Sequence, residues 1–163
     1  MIGVVHCLPF PGTPRYDGRS VEALVEAAVH DARAYAEGGV DGLIVENHGD
    51  IPFLRPQEIG HETTAFMTAV TRCVIAETGL PTGLNVLANA TTPALAVAAA
   101  SGARFIRVNA WANAYVANEG LLNGDAAQAL RYRRQIAAED VAIFADSHVK
   151  HGAHAITADR SIE

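Results

Sequence analysis

Apolar residues along this chain fall into two alternating rhythms. Short runs with β-branched residues end in polar side chains, and each is followed by a longer stretch in which apolar positions recur every three or four residues. The first run, Ile2 to His6, leads through a proline-rich turn to a helix opening near Ser20, a good N-cap. Val21, Leu24, Val25, Ala28, Ala32 and Tyr35 form its buried stripe, and Gly38-Gly39 stops it. A second strand covers Gly42 to Glu46, and its helix is expected from Pro56, with Ile59, Phe66, Met67, Val70 and Val74 inward and Gly79 at the end. Cys73 borders that stripe and reads as a core thiol. The third strand is Thr82 to Val86, followed by an alanine-rich helix from Thr92-Pro93 to Gly102. The fourth is Arg104 to Val108. After it come a long loop, Ala110 to Gly124, and a helix from Asp125 to Ala138. The fifth is Val141 to Ala145, and the closing "DRSIE" resembles another helix start.

Strands alternating with helices predict an α/β fold with a parallel sheet. No strand leads into a GxGxxG or Walker loop, which disfavours an open nucleotide-binding sheet. Instead every strand ends in polar residues: His6, Glu46-Asn47, Asn85, Asn109 and Asp146. In a (β/α)8 TIM-barrel type of fold those ends ring one mouth, where active sites sit. A full barrel needs about 250 residues, so 163 residues predict a partial barrel of about the first five βα units, read as one domain over 1–163. Such a piece is expected either to be part of a longer protein or to pair with a second copy through its free strand edges, a homo-oligomer.

Composition narrows the partners. Half of the residues are hydrophobic and the formal charge is −6, so a packed core is expected and nucleic acid is not an expected partner. Arg131, Arg133 and Arg134 read as a solvated helix face. Two cysteines make no disulfide framework, which predicts a cytoplasmic, reducing setting. No signal peptide or transmembrane segment is expected, and peripheral membrane contact stays open.

Five stretches, "IGVVHCLPFPGTPRY", "GGVDGLIVENHGDIPF", "GLNVLANA", "FIRVN" and "ADSHVKHGA", together resemble the BtpA (BtpA/SgcQ) family. They span nearly the whole chain, in order. The resemblance implies a ribulose-phosphate-binding type of TIM barrel. The family takes its name from photosystem I accumulation in cyanobacteria, although many members occur without photosynthesis. Some members are labelled phosphoribosylanthranilate isomerase-like. Family members continue for about a hundred further residues, which would supply the last three strands and the phosphate site that follows strands 7 and 8. The position of Cys7 is usually apolar in the family, which weakens any mechanism built on that thiol.

The candidate chemistry sits at the strand ends. Neighbouring strand residues face opposite sides, so His6 and Cys7 cannot both face the barrel interior, and His6 is expected inward. Glu46 ends an apolar run and suits a general base, its pKa expected to be raised by desolvation. Asn85 and Asn109 can orient a ligand. Arg107 shares a face with Asn109 and needs a buried partner, Glu46 or a bound anion. Asp146, His148, Lys150 and His151 crowd "ADSHVKH", and Lys150 is the only lysine.

These residues point to an isomerase- or lyase-like proton transfer on a small phosphorylated or carboxylated metabolite. Glu46, Asp146 and His6 are the expected catalytic groups. Asn47, Asn85, Arg107, Asn109, His148 and Lys150 are the expected binding groups. A sharper variant pairs Cys7 as base with Asp146 as acid. A divalent metal held by His6, Glu46, Asp146 and His148 is an option without tight spacing behind it, so the cofactor is unknown. Competing readings are a non-catalytic assembly factor, with the mouth plugged by Phe53 and Trp111, and an inactive fragment.

Overall fold

The computed structural model describes residues 1–147, 149 and 152–155. The expected helix start at "DRSIE" lies outside the described residues, as do His148, Lys150 and His151.

Strands β1 (Ile2–His6), β2 (Gly42–Glu46), β3 (Thr82–Asn85), β4 (Phe105–Val108) and β7 (Ala142–Ala145) form a parallel sheet whose spatial order follows the chain. The order never reverses, so these strands have no doubly wound switch point. Between them run α1 (Val21–Glu37), α2 (His61–Thr78), α3 (Thr91–Ser101) and α4 (Ala126–Gln135), each packed on the next. The core lies between these helices and one sheet face. Val5, Leu43, Val45, Leu84, Ile106 and Val108 point into it and meet Leu24, Met67, Val70 and Leu95.

Local chemistry explains most boundaries. Ser20 caps α1 by accepting from the Ala23 N–H, and Gly79 and Gly102 end α2 and α3 in the left-handed conformation that glycine takes without strain. The second helix starts later than the proline suggests. Pro56–Glu58 forms only a 3-10 turn; Ile59 is extended, and α2 begins at His61 behind Gly60. Cys73 is exposed rather than in the core, because it lies one position off the buried Val70–Val74 stripe and turns outward. Arg133 donates to the Val141 carbonyl and Arg134 pairs with Glu139, so two of the clustered arginines hold the α4–β7 turn.

The long loop after β4 contains an unexpected hairpin. Strands β5 (Ala114–Ala117) and β6 (Gly120–Asn123) pair antiparallel, and β8 (Ala153–His154) pairs with β5 on its other side. Gly120 supplies the positive φ of the tight turn. Tyr115 and Leu122 bury against Ala88 and Ala110 in a second, smaller core.

The other sheet face carries Val4, His6, Ile44, Glu46, Asn85, Phe105, Arg107 and Phe144, in register. Phe105 stacks on Phe144 with ring centroids 4.6 Å apart, and lies flat over Gly83. A Cβ at residue 83 would come within 2.3 Å of that ring. Gly83→Ala is therefore expected to push the ring off the sheet and cost about 1–3 kcal/mol by overpacking. Urea unfolding would read this, and an unchanged midpoint would show that Phe105 is not held there.

Candidate functional site

The strand alternation sends His6, Glu46, Asn85 and Arg107 to the open face, at the C-terminal ends of β1 to β4, with Asn109 and Asp146 just beyond β4 and β7. Arg107 is the hub. Its Nε and Nη2 donate to the two oxygens of Asp146 at 3.0 and 2.9 Å, and its Nη1 donates to Glu46 Oε1 at 2.8 Å. The fork geometry of a guanidinium suits this two-sided clamp. Its hydrogen bonds to Asp146, and then the two nearby negative charges, raise the Arg107 pKa, so it stays cationic.

Two amides complete the row. Asn85 Nδ2 donates to Glu46 Oε1 and to Asn109 Oδ1, both at 3.3 Å. Asn109 Nδ2 donates to Asp146 Oδ2 at 3.0 Å. Glu46 Oε2 is left facing His6 Nε2 at 3.7 Å, an ion-pair distance when the imidazole is protonated. Glu46 is buried, whereas His6 is 52% exposed and stacks on His48 at 4.2 Å. His48 in turn meets the edge of Phe53 at 6.0 Å.

A cavity of about 710 Å³ opens above this row. His6, Glu46, Arg107 and Asn109 line its floor. The β2–α2 loop supplies Phe53, the β3–α3 loop supplies Leu87, and the hairpin roofs it with Ala117, Glu119 and Leu122. The mouth is thus open. Phe53 lines it, while Trp111 packs against the main core instead.

Three staples hold the rim. Gly49 N donates to the Cys7 carbonyl at 3.1 Å, and residue 49 lies so close to Pro9 and Cys7 backbone atoms that a Cβ would meet one at 2.5 Å. Asn47 Oδ1 accepts from Leu87 N at 2.7 Å while its Nδ2 donates to Asp50, which also accepts from Phe10 N. Burial raises the Asp50 pKa against the lowering pull of those two bonds. Asn89 accepts from Ala110 N at 2.8 Å and donates back to its carbonyl. Asn47, expected among the binding groups, fastens these loops through its side chain and is not among the residues that line the cavity. Asn89 and Asp50 were not among the expected residues. The Asn and Asp-rich turns "ENHGD" and "ANATT" are the signal that points to them, since such side chains bond nearby backbone.

Cys7 requires a correction. It faces the helices inside the main core, on the opposite side of β1 from His6. Burial, and then the charges of Asp50 and Glu46, push its thiol far above the usual range. The pairing of Cys7 as base with Asp146 as acid has no geometry here. Among the described residues no three His, Cys, Asp or Glu side chains gather to hold a metal, and His148, the fourth expected ligand, lies outside them with Lys150. Among the described residues, too, no helix is long and apolar enough to cross a membrane.

A model of the BtpA family matches residues 1–162. An uncharacterised protein of Archaeoglobus fulgidus is 46% identical over 154 residues, covering 94% of this chain and 61% of that protein. The photosystem I biogenesis protein BtpA of Synechocystis is 44% identical over 151 residues, covering 93% of this chain and 52% of that protein. An uncharacterised protein of Caenorhabditis elegans, labelled mitochondrial, is 36% identical, covering 99% of this chain and 60% of that protein. The chain spans between 52% and 61% of these relatives' lengths.

Two outcomes follow from the site. Arg107→Met leaves Glu46 and Asp146 without their shared cation. Because Arg107 is 35% exposed, the expected loss is about 2–4 kcal/mol, below the cost of breaking a fully buried pair. Chemical denaturation would read it, and a neutral variant would show the clamp to be dispensable. With a thiol-reactive dye near neutral pH, Cys73 should react at once and Cys7 only after unfolding. Two fast thiols in the native protein would contradict the burial of Cys7.

Proposed function

The chain belongs to the BtpA family, and on that premise we propose that it forms the first part of a TIM-barrel type of fold with a small-molecule site at its mouth. Three features support the barrel: strand order that follows the chain, helices packed in succession, and polar residues at every strand end of the sheet. Among the described residues β1 and β7 each pair within the sheet on one side only, and on their other sides further strands of a full-length barrel, or a second copy of this chain, would pair. The two free thiols fit a reducing compartment such as the cytoplasm.

The observation that carries the function is the open cavity over a fully paired charge row. A packed plug would leave no space for a ligand. A structural salt bridge alone would not need a half-exposed imidazole set against a buried carboxylate. Our reading is an isomerase- or lyase-like proton transfer on a small phosphorylated or carboxylated metabolite. His6 meets the ligand, and Glu46 behind it compensates the charge that His6 acquires on taking a proton. Arg107 and Asn85 hold Glu46; Arg107 and Asn109 hold Asp146, the second acid-base group. Since Arg107 is engaged by two carboxylates, the ligand's phosphate or carboxylate would be held elsewhere, as in barrels whose phosphate site follows the last strands. A second reading, a non-catalytic assembly role, draws on the name of the Synechocystis relative.

Native mass spectrometry of the gently purified protein should show a retained small molecule. Incubation in deuterium oxide should add deuterium to that molecule. His6→Ala is expected to slow the exchange by about 10²–10⁴-fold with little change in melting temperature. A bare wild-type mass would favour the assembly reading, and exchange indifferent to His6 would remove His6 from the mechanism.

A further inference from the structure

The cavity has a charged floor and an aromatic wall beside it. At the floor, Arg107 brings one positive charge against the two carboxylates of Glu46 and Asp146. Glu119, at the hairpin tip, adds a third carboxylate from the roof. Before any imidazole proton is counted, the described groups around the cavity therefore carry an excess of negative charge. Beside that floor His48, stacked on His6 at 4.2 Å, meets Phe53 at 69° in an aromatic corner, and Leu87 and Leu122 line the same cavity. Such a corner offers a flat ring one face to stack on and one edge to abut. The Phe53 π face attracts cations and repels anions. An anionic group against that phenyl ring would also lose water without gaining a partner from it.

We infer that this aromatic corner selects a planar, unsaturated ring that is uncharged or cationic, carried by the ligand of the site proposed above. The inference rests on that reading and deepens it, because it names what the aromatic wall of the site recognises. Specificity would then lie in Phe53 and Glu119, which come from separate loops and are not part of the Arg107 row. The β2–α2 loop presents the ring surface, and the hairpin sets the sign of charge that can approach it.

Three probes sharing one ring separate the terms: indole, tryptamine and indole-3-acetate. Their affinities would be measured by ligand-observed NMR, with the His6 and His48 ring protons as site reporters. Indole and tryptamine are expected to bind and shift both imidazoles, with tryptamine at least tenfold tighter than indole-3-acetate. Phe53→Ala should weaken indole at least tenfold. Glu119→Gln should narrow the gap between tryptamine and indole-3-acetate several-fold while leaving indole unchanged. Indole-3-acetate binding as tightly as tryptamine, or indole indifferent to Phe53→Ala, would overturn the inference. If no probe binds but wild-type protein still retains a small molecule in a His6-dependent way, this inference alone is overturned. If no probe binds and no molecule is retained, the ligand-site reading falls with it.

Discussion

Two carboxylates, Glu46 and Asp146, converge on one guanidinium at the C-terminal edge of the sheet, and that shared cation makes their arrangement tolerable. Removing a carboxylate from water costs several kcal/mol unless a well-placed donor replaces the lost hydration. Arg107 does this for Glu46 and Asp146 at once, reaching from β4 to the end of β2 on one side and past β7 on the other. Asn85 and Asn109 donate to the same carboxylates from the strands between. Register and charge thus support each other. The parallel pairing puts these residues on one face, and their mutual bonds resist a one-residue slip that would turn an arginine into the apolar core.

The rim above depends on a different device. There the loops touch backbone to backbone at residue 49 and through the amides of Asn47 and Asn89. Each staple joins one strand-end loop to the next, so the cavity walls are held by polar bonds rather than by loop packing alone. That preorganisation matters for a candidate site whose floor is itself cross-bonded.

Much of this could be read from residues alone. Alternation placed His6 and Cys7 on opposite faces, and it put Arg107 on the same side as Asn109. The five parallel strands and three of the helices were visible within a few residues, because hydrophobic period and caps are local properties. What escaped was set by contacts distant in sequence. The loop bonds of Asn47 are one case, since its partners, Leu87 and Asp50, lie on loops whose meeting no local pattern announces. The hairpin escaped because "AYVANEGLLN" has short strands whose burial comes from Ala88 and Ala110. Cys73 escaped because one position of helical rotation decides between core and surface.

The amide row has a direction. Asn85 spends both of its N–H bonds, one on Glu46 and one on Asn109, and Asn109 then has its own amide nitrogen left for Asp146. Turning any one amide over would set donor against donor or acceptor against acceptor along the whole line. The four positions are consequently a single coupled unit. A lineage altering one of them would first have to pass through a mismatched intermediate, so drift at this edge of the sheet should proceed by linked exchanges, while the outer helix surfaces vary one residue at a time.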